Sequence, residues 1–303
     1  MRGYLFVLGA ALLWASSATI GKSLFAEGVT PVELAQVRSL LGSLGLALAL
    51  AVLSRDRLRV RPQDLPWFLL LGGAVMALVQ LAYFFTIEAI QVAAAILIQY
   101  TSPVLVVVFS ALFLKDPMTP AKLAALVLAL GGCFLVVGGL ETDLADINLR
   151  GLGWGIAASI SFSAYTLLGE RLMHRYSPWT VLLYTLLFAA ITCHAVDPSL
   201  AYLTEGRDPS QWARMAYVAI LGTAVPFGLY FAGIDHIRAS RASITASSEP
   251  IFAGGIAFVL LGETLEWLQI LGGLLVVGAV VLLQLKHERD QHTPRGIRES
   301  QAG

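Results

Sequence analysis

The sequence predicts an all-α integral membrane protein in which ten transmembrane helices form two inverted five-helix repeats. Three observations carry that expectation. Of the 303 residues, 57% are hydrophobic and only 13% are charged, about half the charged fraction of a soluble domain. Apolar runs of about 20 residues recur along the chain, the length of helix that crosses a bilayer core. The two halves of the chain also match each other in sequence. Twenty Lys and Arg balance twenty Asp and Glu, so no net charge draws the protein to nucleic acid, and no nucleic-acid partner is expected.

Taken in order, the first run, 3–24, follows Met1-Arg2 and is read as an uncleaved helix rather than a signal peptide, because nine further spans follow. It carries Trp14 and Ser17, with Lys22 near its outer end. Span two, 31–53, holds Glu33 and Arg38, five apart and so not stacked on one face; each is expected to pair with another helix or reach outward. Span three, 65–87, brings Gln80, Tyr83, Phe84 and the adjoining Glu88 onto one face at helical spacing. Span four, 92–114, holds Gln99, Tyr100 and Ser102 just before Pro103, and span five covers 119–139. The second half repeats the scheme with spans 151–172, 178–196, 212–234, 239–261 and 264–285. Phe162 and Tyr165 fall in the sixth, Tyr230 follows Pro226 in the eighth, and Ser243, Ser247, Ser248 and Glu249 precede Pro250 in the ninth. The repeats are therefore expected at 3–139 and 151–285, with a polar tail over 286–303. Cys133 and Cys193 lie in apolar runs and read as small core residues, with no disulfide framework or zinc site.

Positive residues in short loops mark the cytoplasmic side. With the N-terminus inside, fifteen of the twenty Lys and Arg fall on cytoplasmic segments, four of them in the Arg55 to Arg61 loop. Lys22, Arg150, Arg207 and Arg214 fall outside, and Arg38 lies within a span. Both termini are thus predicted to be cytoplasmic.

A shift of about 147 residues aligns Ile90, Pro103 and Gly131 with Ile237, Pro250 and Gly278, and a shift of about 148 aligns Gly3 and Trp14 with Gly151 and Phe162. Five spans per copy is an odd number, so the second copy must enter the membrane in the opposite sense, the inverted-repeat plan of many secondary transporters. Prolines within helices remove a hydrogen bond and crowd the preceding turn. Pro103, Pro250 and Pro226 are therefore read as hinges or kinks, and freed carbonyls beside the matched pair are expected to face a midplane site.

The Trp14-containing first helix, Gln99-Tyr100-Thr101-Ser102-Pro103, Ser248-Glu249-Pro250, and the Leu261-Gly262-Glu263 turn before Gly272-Gly273 and Gly278 together resemble the EamA-type ten-helix carriers of the drug/metabolite transporter superfamily. The resemblance spans about 3–137 and 151–284. The first copy departs from it, with Ser102 where the second has Glu249 and Lys115-Asp116 where the second has Gly262-Glu263. It implies a bacterial inner-membrane secondary transporter, held in membrane lipid, that exports small amphipathic metabolites by alternating access, amino acids including aromatic ones among them. Drug efflux and exchange of sugar phosphates or nucleotide sugars are the competing transport activities; the latter calls for a cation in the cavity, and only Arg38 is placed to supply one.

Polar groups in hydrocarbon are costly unless paired or facing a cavity, so Trp14, Ser17, Gln80, Tyr83, Gln99, Tyr100, Ser102, Tyr165, Tyr230, Ser248 and Glu249 are the candidate substrate contacts. Such a lining suits a small molecule with an apolar body and a polar handle. Three roles are open to Glu249: binding an ammonium group, carrying a coupling proton, or capping a broken helix. No P-loop, dinucleotide fingerprint, Gly-x-Ser-x-Gly or His-Glu-x-x-His motif occurs, so no enzyme activity, cofactor or metal is expected. One inverted repeat builds a complete pathway, so a monomer suffices.

Overall fold

The structure is a computed structural model, and it describes residues 1–90, 92–140, 148–204, 206–261, 266–285 and 293–302. Gln91, the acidic loop residues Glu141 to Asp146, Glu205, the Gly262-Glu263 turn, the start of the polar tail, and the side chains of Lys22 and Glu88 lie outside the described residues. Within them every regular element is helical and no strand occurs. The α-helices are α1 (Arg2–Ala26), α2 (Pro31–Leu53), α3 (Leu65–Leu69), α4 (Ala77–Ala89), α5 (Val92–Gln99), α6 (Ser102–Phe113), α7 (Pro120–Val136), α8 (Leu149–Met173), α9 (Pro178–Val196), α10 (Ala201–Thr204), α11 (Pro209–Ala219), α12 (Val225–Ala246), α13 (Glu249–Leu261), α14 (Trp267–Leu285) and α15 (Pro294–Ala302).

Four helix starts share one device. Thr30, Thr119, Ser177 and Asp208 each accept a backbone N–H at the start of α2, α7, α9 and α11, and a proline follows each cap directly. The cap satisfies an amide with no intrahelical partner, and the proline occupies a position where no N–H is needed. Among the described residues, eight helical runs are long and apolar enough to cross a membrane: Arg2–Ala26, Pro31–Leu53, Pro62–Ile87, Ala95–Phe113, Leu149–Met173, Pro178–Val196, Pro209–Ala246 and Trp267–Leu285. Pro120–Val136 is apolar but shorter, at 17 residues.

Pro209–Ala246 is 38 residues long, about 57 Å at helical rise and too long for one crossing. It breaks at Arg238, whose φ of 69° and ψ of 164° leave the helical region. Two π-helical turns also depart from the expected regularity, Leu70–Met76 between α3 and α4 and Ile220–Ala224 between α11 and α12. One lies in the third expected span and the other in the eighth, its counterpart in the second half. The expected kink at Pro226 is corrected here: Ala224 and Val225 keep helical φ and ψ. The distortion is the π turn before it, consistent with a proline nitrogen that cannot bond back to the Gly222 carbonyl.

Long-range contacts define the two ends of the bundle. At the first end Gly3 packs on His236 and Ile237, the Tyr176 hydroxyl donates to Asp64 at 2.6 Å, and Arg298 of α15 pairs with Asp235 at 2.8 Å. At the second end Arg207 pairs with Glu33 at 2.7 Å, Arg214 with Glu27 at 2.5 Å, and Gly151 packs on Ile90. Helix α1 therefore starts at the first end and finishes at the second, whereas α8 does the reverse.

A buried ion cluster ties the first end together. The Arg238 Nε lies 3.2 Å from Glu170, and its Nη1 lies 3.5 Å from Asp116. Its Nη2 donates to the Leu114 carbonyl at 2.5 Å, and Lys122 and Ser240 both donate to Asp116. Around the outside, Leu44, Leu48, Val52, Leu112, Phe113, Ile160, Leu274 and Val281 are exposed, the apolar surface of a bundle that meets lipid rather than water. Between α7 and α14 the backbones nearly touch at Gly132 and Gly272, where a Cβ on either would stand 2.6 Å from the other's carbonyl oxygen.

Candidate functional site

A cavity of about 710 Å³ runs inward from the second end, reaching from Gly28 to Pro31 at its mouth down to the middle of the bundle. Its floor is formed where two helices are interrupted. Between α5 and α6 the Thr101 N–H bonds back to the Ile98 carbonyl at 3.1 Å, and between α12 and α13 the Ser248 N–H bonds to the Thr245 carbonyl at 3.1 Å. Both are tight three-residue turns, and Pro103 and Pro250 each stand second in the helix that follows, in the first turn, where a missing N–H costs nothing. Beside the breaks, the Ser102 carbonyl accepts from Ser163 at 3.2 Å and the Ser247 carbonyl from the Cys133 thiol at 3.0 Å.

The walls come from both halves. Trp14, Ser17, Gln80, Tyr83, Gln99, Tyr100, Ser102 and Glu249 all line the cavity, as do Pro103 and Pro250. The Tyr100 hydroxyl donates to Glu249 Oε2 at 3.0 Å and so joins the two interrupted helices. The Gln80 amide donates to Ser39 at 2.9 Å. By contrast, Trp14 Nε1 and Gln99 Oε1 have no hydrogen-bond partner among the described residues. The Trp14 ring meets Phe162 and Phe227 edge-on, with centroids 6.2 and 5.0 Å away.

Tyr165, Tyr230 and Ser248, expected among the substrate contacts, do not line the cavity, and their placement is corrected accordingly. Tyr165 is fully buried and stacked on Phe231 at 4.6 Å. The Tyr230 hydroxyl pairs with Thr166 at 3.1 Å. Ser248 is buried at the break itself. Tyr165 and Tyr230 were singled out as polar groups within hydrocarbon, but their rings pack among Phe162, Phe227 and Phe231.

Arg38 is the lining residue that sequence reasoning placed in a structural role. Its Nε donates to the Thr223 hydroxyl at 2.8 Å, and its guanidinium stands 5.4 Å from the centre of the Phe84 ring. Thr223 belongs to the π turn Ile220–Ala224, so a distortion with no sequence signal of its own sets the arginine in place. Its companion Glu33 instead pairs with Arg207.

A multi-pass helical bundle with a cavity reaching its centre from one end, floored by interrupted helices, defines a membrane transporter. The sequence model of the EamA-like transporter family matches residues 1–138 and again 149–285, and the chain belongs to that family, within the drug/metabolite transporter superfamily. It is 28% identical to the inner membrane transporter YicL of Salmonella typhimurium over 95% of this chain and 97% of that one. It is 31% identical to a transporter of Archaeoglobus fulgidus over 70% and 75% of the two chains. The threonine/homoserine exporter RhtA of Escherichia coli is 28% identical, covering 87% and 83%. A solved crystal structure shares the fold with a TM-score of 0.78 at 22% identity, over 93% of this chain and 96% of that one.

Proposed function

We propose that this protein is a secondary carrier of the bacterial inner membrane that exports small amphipathic solutes, including aromatic amino acids, by alternating access. The cavity carries the reading. Trp14, Tyr83, Tyr100 and Phe162 supply apolar and aromatic wall, and Ser17, Gln99 and Ser102 supply neutral hydrogen-bonding groups, the chemistry that suits an apolar body with a polar handle. The lining reaches the second end of the bundle and stops short of the ion cluster at the first, as expected of a carrier open to one side.

The proposal includes ten spans in two inverted five-helix repeats, 3–139 and 151–285, with the tail 286–303 and both termini cytoplasmic. The opposite directions of α1 and α8, the paired π turns and the two family matches support the repeat. The break at Arg238 supports counting Pro209–Ala246 as parts of two spans. The mouth then faces the periplasm. RhtA, a relative over most of the chain, is named for amino-acid export.

A second reading rests on Arg38, whose presence in the wall favours an anionic solute such as a sugar phosphate. Proteoliposome uptake of labelled phenylalanine, tryptophan, threonine and glucose 6-phosphate separates the two, with empty vesicles as control and an imposed pH gradient as a second condition. Movement of the amino acids alone supports the proposal. Movement of the sugar phosphate alone replaces it with the second reading.

A further inference from the structure

Arg38 and Glu249 line the same cavity from opposite halves of the chain, and among the described residues neither has an oppositely charged partner. Arg38 uses its Nε on Thr223, while its Nη1 and Nη2 donors make no hydrogen bond with the described residues. Glu249 Oε2 accepts from Tyr100, and Oε1 accepts from no group among the described residues. The buried carboxylates among the described residues, Glu33, Asp64, Asp116, Glu170 and Asp235, each stand in an ion pair. An unpaired charge in a site surrounded by hydrocarbon is costly, and here two of opposite sign are left open to one space.

We propose that Arg38 and Glu249 are the two poles of the substrate site, Arg38 taking the carboxylate and Glu249 the ammonium group of one zwitterionic solute. The inference rests on the carrier reading above and deepens it by naming the charge pattern of the cargo. A solute with a single charge leaves one pole unpaired, and a phosphate brings like charge to Glu249. A zwitterion neutralises both. The guanidinium is held by Thr223 and by the Phe84 ring, which leaves its two terminal nitrogens as a planar fork suited to a carboxylate. Tyr100 fixes Glu249 by one oxygen and leaves the other free, so Tyr100 acts as a positioning residue.

The test is competition against labelled L-phenylalanine counterflow in proteoliposomes by three unlabelled compounds: L-phenylalanine, L-phenylalaninamide, which lacks the carboxylate, and 3-phenylpropanoate, which lacks the ammonium. In the wild type the zwitterion should compete about 10- to 100-fold better than either analogue, the span expected for a hydrogen bond to a charged group. Arg38→Gln should erase the preference over the amide and keep the preference over phenylpropanoate. Glu249→Gln should do the opposite, and Arg38→Lys should restore part of the carboxylate preference in a folded protein. This crossed pattern does not arise from general damage. Equal competition by all three compounds in the wild type, or equal losses for all three in both Gln variants, overturns the inference and leaves the carrier standing. Absence of any phenylalanine counterflow by monodisperse wild-type protein overturns the amino-acid reading, and the inference falls with it.

Discussion

Removing the Glu170 carboxylate should be among the most damaging single changes in this protein. Glu170 is fully buried, accepts from Arg238 Nε at 3.2 Å and from the Ala239 N–H at 2.6 Å, and helps hold Arg238 at its φ of 69°. The cluster balances Asp116 and Glu170 against Lys122 and Arg238, and Arg241 is buried as well. Glu170→Ala leaves that balance positive in a buried site. Breaking a buried pair from one side costs about 3–5 kcal/mol. The orphaned Ala239 amide, worth about 1–3 kcal/mol on its own, is partly included in that figure. A stability of about 5–15 kcal/mol would lose about a fifth at the least. At about 2–4 °C per kcal/mol the unfolding midpoint should fall by about 6–20 °C. The assay is thermal unfolding in detergent at fixed protein concentration, with Glu299→Ala as control, because the Arg295–Glu299 pair is 49% and 65% exposed and contributes little. Glu170→Gln should fall between wild type and Glu170→Ala, since it keeps an acceptor for the amide without the charge. A Glu170→Ala midpoint within about 1 °C of wild type, or one matched by Glu299→Ala, would refute the reasoning.

Gln99→Ala and Tyr83→Phe should each lower flux severalfold while membrane insertion and monodispersity stay normal, since both line the cavity; normal flux in both variants would remove that wall from the site. Gly132→Val or Gly272→Val should cost about 1–3 kcal/mol or prevent folding, because even a Cβ meets the facing carbonyl at 2.6 Å. Unfolding midpoints and yield check this, with Gly153→Ala, which opens onto free space, as the tolerated counterpart. Hydrogen bonds from Arg214 hold the Glu27 carboxyl below its ordinary value of 4.5. A lowered folded-state value means that the pair contributes above that pH and that its contribution disappears as the pH falls through the folded-state value. The midpoints of wild type and Glu27→Gln should therefore differ at pH 7 and converge in acid.

Much of the framework was legible along the chain. The predicted spans 31–53 and 178–196 coincide with Pro31–Leu53 and Pro178–Val196, because a hydroxyl cap followed by proline is a local start signal and the apolar run behind it sets the length. Pro103 and Pro250 marked the neighbourhood of two breaks for a different reason, since a proline has no N–H to give and stands in the first turn of a new helix. The π turns were not, since their extra residue per turn leaves no composition signal. The form of the break between the expected spans 212–234 and 239–261 was also hidden, because Arg238 is held in its non-helical conformation by Glu170 of α8 and by the Leu114 carbonyl just after α6.

By itself the sequence determined that this chain is a helical membrane protein, which polar residues fall within its apolar runs, and that its halves resemble each other. Those properties follow from composition, run length and periodicity, each a sum over neighbours in the chain. Only the tertiary structure decided which of those polar residues are neutralised and which remain open. Glu33 meets Arg207 across 174 positions and Tyr100 meets Glu249 across 149, whereas Arg38, five residues from Glu33, meets no carboxylate at all among the described residues. Whether a charge is paired depends on the few ångströms around its last atoms, and those are filled by parts of the chain that no local pattern brings together.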